Sequence, residues 1–244
     1  MPKNFAIGGP ASDESPCTSS KVRDAWKSIG LRVRSGILLA IAIACVLHAP
    51  AAGLAQPSQP DLLAVPDPAT LTLDASTTAI LAIDFLESNC APDPRCAASL
   101  PMAAAGLSAA REANVLVIHA THPAPDNVIL SQVAPQPGDR VFEAIPGGDK
   151  FFDSLLGTIL QQAGTRTLVI IGMSSNSGVL YTAAGAIQRG YTVVVAEDGI
   201  SGRSDLATSV ALWQLLNGPG NNPQNAPLQP RAVTLTRTDL ITYE

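Results

Sequence analysis

Positive charge, cysteine and long apolar runs are all scarce in this 244-residue sequence. Residues 56–244 carry 9 Lys and Arg against 17 Asp and Glu, a net charge of −8. Because no basic stripe is present, we expect neither nucleic acid nor an anionic membrane surface as a partner. No apolar run approaches the ~20 residues that span a bilayer. Neither a Gly-x-Gly-x-x-Gly nor a P-loop sequence occurs, so no nucleotide cofactor is expected.

The first 55 residues have the order of charge and hydropathy that is typical of a secretory signal peptide. Arg32 and Arg34 precede a short apolar run over 36–47, and small residues follow up to Ala55. A membrane anchor is the alternative, but the run is shorter than an anchor requires. We therefore predict cleavage after Ala55, a periplasmic or secreted location, and no attachment to the membrane after cleavage.

Two cysteines remain after this cleavage. Cys90 and Cys96 lie in the segment Asn-Cys-Ala-Pro-Asp-Pro-Arg-Cys, and an even pair in an exported protein predicts a disulfide. A free reactive thiol is the alternative. Two sulfurs alone are too few ligands for a metal site, so none is expected.

The rest of the sequence indicates an α/β protein. A Pro-rich segment over 56–76 predicts a linker or a strap along the surface. Apolar strands are expected at 79–83, 115–118, 167–171, 191–196 and 232–236, with a short strand near Val141, and helices at 99–114, 151–163, 179–189 and 204–217. Strands without inside/outside alternation, separated by helices, predict a parallel sheet covered on both faces. We predict one domain over 77–244 with a three-layer, Rossmann-like fold and a mostly parallel sheet of about six strands.

In such a sheet the functional site lies at the carboxyl ends of the strands. Asp84 directly follows the first strand, where a helix cap or a turn is the structural alternative. Lys150 is the only lysine after residue 55, and it precedes a predicted helix whose dipole disfavours a cation. Asp84 is the anion that could compensate it, whereas a solvated loop lysine is the simpler interpretation.

A turn and two histidines also reach this edge. The small residues over 172–178 offer backbone N–H groups for a carboxylate or a developing oxyanion, or they merely make a tight connection. His119 and His122 follow the second strand, but no third ligand stands at a recognisable spacing, so a metal site is not predicted. We expect His119 to be a satisfied strand-end residue or a substrate contact.

Three segments together resemble the isochorismatase-like superfamily, which also contains nicotinamidases and other cysteine hydrolases. They are TAILAID at 78–84, GDKFFDSLLGTILQQAGTRTLVIIG at 148–172 and GMSSNSGVLYTAAGAIQRGYTVVVAEDGIS at 172–201. The resemblance implies that Asp84 is the catalytic acid/base and Lys150 its charged partner. It also implies a non-proline cis peptide at Met173–Ser174, substrate contacts from Met173, Ser174 and Ser177, a small-molecule substrate and a possible homo-oligomer.

The resemblance breaks at the catalytic position of the nucleophile. Gly178 stands where the cysteine hydrolases have their cysteine, and Leu86 replaces a glutamine that is usual two residues after the Asp. Thiol chemistry at position 178 is therefore excluded, and three hypotheses remain.

In the first hypothesis, as in the isochorismatase branch, Asp84 protonates a vinyl ether and water completes the hydrolysis. This requires burial to outweigh the Lys150 charge, so that the Asp is partly protonated near neutral pH. In the second, Ser177 is the nucleophile of an amidase or esterase and Asp84 is its base. In the third, the domain has lost catalysis and binds a small molecule or a partner in the same pocket.

Overall fold

The computed structural model describes residues 63–123 and 128–244. The predicted signal peptide and its cleavage site lie outside these residues. Among the helices within them, none is long and apolar enough to cross a membrane.

A six-stranded sheet forms the centre of the domain. Its strands are β2 (Thr78–Ile83), β3 (Leu116–Thr121), β4 (Arg140–Glu143), β5 (Thr167–Met173), β6 (Thr192–Ser201) and β7 (Val233–Thr236). They lie in the order β4-β3-β2-β5-β6-β7, and every neighbouring pair is parallel. The central strand β2 is buried along its whole length, as expected for a sheet covered on both faces. The predicted α/β fold is confirmed.

Helices cover both faces of this sheet. The helices are α1 (Glu87–Cys90), α2 (Pro94–Glu112), α3 (Leu156–Gln162), α4 (Leu180–Gln188) and α5 (Asp205–Asn217). Because successive strand residues point to opposite faces, Leu81 and Ile83 pack with α3, α4 and α5, whereas Ile80 and Ala82 pack with α1 and α2. Two apolar cores therefore hold the ends of the strands in position.

A disulfide joins the first two helices, as predicted. Cys90 at the end of α1 is bonded to Cys96 in the first turns of α2. The helix α2 begins at Pro94, earlier than predicted, because the Asp93 carboxylate accepts a hydrogen bond from the Arg95 N–H and Pro94 starts the first turn.

The prediction of a linker over 56–76 is wrong for its last residues. Leu71–Leu73 forms strand β1, which pairs in parallel with the C-terminal strand β8, Ile241–Tyr243. Leu71 and Leu73 are buried in the core on the α2 side of the sheet. A three-residue strand is too short to show a period, and its partner lies 170 residues away in sequence. The prolines that precede this short strand favoured the prediction of a linker.

The predicted helix over 151–163 is also wrong at its start, because α3 begins only at Leu156. The Asp149 carboxylate accepts a hydrogen bond from the Phe151 N–H, and the Ser154 hydroxyl binds the Lys150 carbonyl and the Leu156 N–H. These polar side chains hold the segment in turns instead of a helix. Lys150 therefore does not stand at a helix N-terminus. The helix-dipole argument for its pairing with Asp84 is wrong, although the structure shows the pair.

Candidate active site

A pocket of about 450 Å³ opens at the carboxyl ends of the strands. Its volume suits a small molecule. Asp84 follows β2, His122 follows β3, and Met173 ends β5, so the parallel register brings all three to one edge. The lining consists of Asp84, Asn89, His122, Pro146, Gly147, Met173, Ser174, Asn176, Ser177 and Arg203.

Asp84 and Lys150 form a buried ion pair at the base of this pocket. The Lys150 ammonium nitrogen lies 2.7 Å from Oδ2 of Asp84, and the two side chains are 0% and 5% exposed. The same nitrogen donates a hydrogen bond of 3.0 Å to the Ile145 carbonyl. The Lys150 backbone N–H donates to the Thr182 hydroxyl at 3.0 Å. The lysine is therefore held at both ends, and its charge is directed at one carboxylate oxygen.

The second carboxylate oxygen of Asp84, Oδ1, has different surroundings. Oδ1 is buried, and no residue in the described part of the chain donates a hydrogen bond to it. Burial raises the pKa of Asp84 above its usual value, and the charge and hydrogen bond of Lys150, with a further contribution from His122, only partly offset this. Oδ1 is thus an oxygen on which a proton can reside.

The wall opposite α1 is a turn of small residues. The Met173–Ser174 peptide bond is cis, as predicted, and Ser175–Val179 forms one π-helical turn ahead of α4. The backbone N–H groups of Ser177 and Val179 donate to the Ser174 carbonyl at 3.1 and 3.2 Å. These two N–H groups are therefore already engaged within the turn.

Gly172 allows this turn to approach Asp84. Its φ is 132°, and a Cβ there would lie 2.3 Å from the Ile83 carbonyl oxygen. A side chain at this position would push β5 away from β2 exactly where the two strands end, so only glycine permits the observed register.

Gly178 lies next to the Asp84 carboxylate. A Cβ built at this position would be 3.7 Å from Oδ2 of Asp84, 3.4 Å from the Met173 carbonyl oxygen and 3.2 Å from Cγ2 of Ile83. A side chain at position 178 would therefore reach the Asp84–Lys150 pair, and glycine leaves that space open.

The remaining predicted contacts have different outcomes. Met173, Ser174 and Ser177 all line the pocket. The Ser177 hydroxyl donates a hydrogen bond to the Gly147 carbonyl, and the Ser174 hydroxyl donates to the Asn176 side chain at 2.9 Å. Both hydroxyls stand at the pocket wall, and each already has an acceptor.

The prediction that His119 contacts substrate is wrong. It lies within β3, is 2% exposed, and its Nε2 is 3.2 Å from a carboxylate oxygen of Asp139. Asp139 also pairs with Arg111 of α2 at 2.7 Å, so His119 belongs to a buried cluster outside the pocket lining. Arg140 borders a separate groove with Leu155 and Ile159.

Six lining residues were not predicted as site residues, and four of them, Asn89, His122, Asn176 and Arg203, have polar side chains. His122 stands three residues beyond His119, past the end of β3, and the spacing of the two histidines contained the only clue. Asn176 is within the turn of small residues over 172–178. Asn89 lies in the short helix α1 and Arg203 in a bend, and no sequence pattern marks a site at either position.

The sequence matches the isochorismatase domain family over residues 78–224. The chain belongs to the isochorismatase family. The match begins at the first residue of β2 and includes every residue of the pocket lining. The family assignment thus agrees with the resemblance carried by the three sequence segments.

Two curated family members are similar to this chain. A secreted isochorismatase effector, Isc1, of Verticillium dahliae is 30% identical over 117 residues, which cover 43% of this chain and 61% of that protein. An uncharacterized isochorismatase family protein, YaaI, of Bacillus subtilis is 32% identical over 89 residues, which cover 36% of this chain and 49% of that protein. The chain thus aligns with about half to three fifths of these relatives.

Solved structures share the fold. A cysteine hydrolase from Pseudomonas syringae pv. phaseolicola superposes with a TM-score of 0.60 at 18% identity, covering 68% of this chain and 91% of that one. An N-carbamoylsarcosine amidase from Thermoplasma acidophilum superposes with a TM-score of 0.56 at 19% identity, covering 67% and 97%. At this identity the likeness concerns the fold.

Proposed function

We propose that this isochorismatase-family protein is an exported hydrolase of a small molecule, in which Asp84 is the acid/base and no thiol takes part. The observation that carries the proposal is the buried Asp84–Lys150 pair, 2.7 Å apart, with one carboxylate oxygen unpartnered among the described residues. A carboxylate kept only for stability would be expected to have both oxygens hydrogen-bonded.

The proposed chemistry follows from the two oxygens of Asp84. Protonated at Oδ1, the carboxyl transfers its proton to the substrate, so that an O–H bond breaks and a bond from hydrogen to the substrate forms. Lys150 stabilises the carboxylate left behind, since its ammonium group already contacts Oδ2. A water molecule then attacks the electron-deficient carbon, and one of its protons returns to Asp84. When the adduct collapses, the bond to the leaving group breaks and the second water proton passes to the leaving atom. The raised pKa of Asp84 favours the protonated starting state.

The pocket wall supports a polar substrate that carries negative charge. Arg203 is an exposed cation of the lining, and Asn89, Asn176 and His122 add hydrogen-bonding groups. An arginine can bind a carboxylate through two parallel hydrogen bonds. Glycine at position 178 leaves room next to Asp84 for the reacting part of such a molecule.

A serine mechanism finds less support. The Ser177 hydroxyl donates to the Gly147 carbonyl, so its proton is directed away from a catalytic base. A serine nucleophile also needs a base within hydrogen-bond reach to become reactive.

Three observations support export. The order of residues over 1–55 is that of a signal peptide, and the Verticillium dahliae relative is named a secreted effector. The Cys90–Cys96 disulfide fits an oxidising compartment.

The test is a hydrolysis screen of vinyl ethers, esters and amides, each supplied with and without a carboxylate. We expect turnover of carboxylate-bearing members that survives iodoacetamide treatment and is lost in Asp84→Asn. Turnover that persists in Asp84→Asn would refute the acid/base role. A covalent adduct mapped to Ser177 by mass spectrometry would instead establish the serine mechanism, and thermal stabilisation by ligands without any turnover would establish a binding protein.

A further inference from the structure

Asn89 links the pocket to the backbone of Asp84. It is half-buried, lines the pocket, and belongs to the single turn α1. Its side-chain amide donates a hydrogen bond of 3.1 Å to the Asp84 carbonyl, and the same nitrogen lies 3.5 Å from Nε2 of His122. Asn89 therefore contacts the backbone of Asp84 and the ring of His122, two residues of the pocket lining that follow β2 and β3.

The backbone of Asp84 needs such a contact. Its φ is 51°, in the left-handed region that non-glycine residues rarely adopt. The Asp84 carbonyl accepts hydrogen bonds from the Leu86 N–H at 2.8 Å and from Asn89, and its N–H donates to the Ala120 carbonyl at 2.9 Å. The direction of the Asp84 carboxylate depends on this backbone conformation, because the side chain is attached to the same Cα atom.

The turn that presents Asn89 cannot hold itself in place. The helix α1 has four residues, far fewer than the ~12 that an isolated helix needs for even marginal stability. Cys90, the next residue, is bonded to Cys96 in the 19-residue helix α2. Both cysteines are buried with Phe85 and Leu100 in the core on that face of the sheet. The disulfide thus ties the turn to a long helix that packs on the sheet.

We propose that Asn89 is a positioning residue for Asp84 and that the Cys90–Cys96 disulfide holds Asn89 in place, so that hydrolysis requires the oxidised pair. This inference rests on the proposed role of Asp84. The inference predicts an enzyme that is insensitive to thiol alkylation but is inactivated by reduction of a disulfide outside the pocket lining.

Reduction follows simple thiol–disulfide exchange. Dithiothreitol donates two electrons and two protons, the bond between the sulfurs of Cys90 and Cys96 breaks, and two thiols form while the reagent closes into its own cyclic disulfide. Released from α2, the turn no longer keeps the Asn89 amide on the Asp84 carbonyl, and the carboxylate loses its fixed direction.

The experiment is a double-mutant cycle on the full chain, with a substrate found in the screen above. We expect Asn89→Ala and the double variant Cys90→Ser/Cys96→Ser each to lower kcat about tenfold, with KM changed less than about twofold. If the disulfide acts through Asn89, the triple variant should be no slower than the worse of the two. Multiplying effects, about a hundredfold in the triple variant, would overturn the proposal.

Further arms separate positioning from loss of structure. Asn89→Asp has the same shape without the amide donor and should lose at least as much kcat as Asn89→Ala, with its disulfide intact. Glu87→Ala changes an exposed residue of the same turn, so it is the matched control and its kcat should be unchanged. The Asp84 carboxyl pKa, followed by NMR titration without substrate, should move in both Asn89 variants and stay constant in Glu87→Ala.

The outcomes distinguish this inference from the proposed function. Activity retained in Asp84→Asn refutes the proposed function. Activity lost in Asp84→Asn but retained in Asn89→Ala and Asn89→Asp refutes the positioning role alone.

Discussion

Two buried carboxylates on the same sheet differ in how completely they are hydrogen-bonded. Asp84 contacts one cation through Oδ2 and has an unpartnered Oδ1 among the described residues. Asp139 accepts hydrogen bonds from the Arg111 guanidinium, the Gln136 N–H and the His119 ring at 2.7, 2.9 and 3.2 Å. Both side chains are 5% exposed, although Asp84 is buried as a whole residue and Asp139 only partly.

The difference appears in the pKa of each group. Burial acts to raise the pKa of Asp139, but hydrogen bonds from Arg111, Gln136 and His119 outweigh it and lower the pKa. At Asp84 burial prevails over Lys150, and the pKa is raised. A saturated carboxylate is fixed as an anion and serves structure, whereas an unsaturated one can exchange a proton. The same comparison explains why His119, bound to Asp139, is structural while His122 faces the pocket.

The largest expected effect is the contrast between Asp84→Asn and Asp139→Asn. The first variant should lower kcat about 10²–10⁴-fold, because a general acid contributes that much. The second should leave kcat within about threefold but lower the free energy of unfolding by about 2 kcal/mol, because its buried donors lose an anionic acceptor. Turnover assays and urea unfolding measure the two effects. An equal loss of turnover in both variants would erase the distinction between the two carboxylates.

Removing the cations gives a second contrast. Lys150→Met should raise the pKa of Asp84 further, because the charge that opposes burial is gone, and should lower kcat about a hundredfold. Arg111→Met is the matched control, since it also removes a partly buried cation that pairs with an Asp. It should destabilise the fold while the Asp84 pKa stays constant in an NMR titration. A constant Asp84 pKa in Lys150→Met would show that the ion pair does not tune this carboxyl.

The pH dependence of turnover should have the sign of an acid. Because the Asp84 pKa lies above the usual value of about 3.9, the protonated form persists to higher pH, and kcat/KM should fall as pH rises through the raised pKa. A base role, as a Ser177 mechanism requires, predicts the opposite: kcat/KM rises through the same pKa. A profile of kcat/KM from pH 4 to 9, repeated in Asp84→Asn, separates the two.

Asp139 should give the opposite dependence in unfolding. Its folded pKa is lowered, so the stability that it contributes is complete above about pH 3.9 and is lost as pH falls through the folded pKa. The loss of unfolding free energy on acidification should therefore be smaller in Asp139→Asn than in the natural chain. Urea unfolding across this range measures it, and identical slopes in the two proteins would contradict the prediction.

The smallest effect on stability is expected for Gly178→Cys. The new Cβ is accommodated if the Ile83 side chain yields by a few tenths of an ångström, so unfolding should change by no more than about 1 kcal/mol. The new thiol stands next to the Asp84 carboxylate, which can take up its proton, and Lys150 beside Asp84 favours the resulting thiolate. We expect an iodoacetamide adduct at position 178 by peptide mass mapping, formed faster than in the control Ser177→Cys. Slower reaction at 178 would mean that the pair does not reach this position.

The sequence by itself determined the α/β layout and the disulfide, which depend on local patterns. The pairing of Asp84 with Lys150 and the cis bond at Met173–Ser174 were implied by the family resemblance. Apolar strands predict a parallel sheet, and parallel strands end at one edge.

Only the tertiary structure decided which polar side chains enter the pocket. His119 and His122 are three residues apart, yet the first lies inside β3 beside Asp139 and the second lies past its end at the pocket. Strand β1 was invisible because three residues show no period and the partner strand is at the other terminus. Asn89 and Arg203 reach the site through contacts between elements far apart in sequence, and side-chain direction there depends on packing that no local pattern encodes.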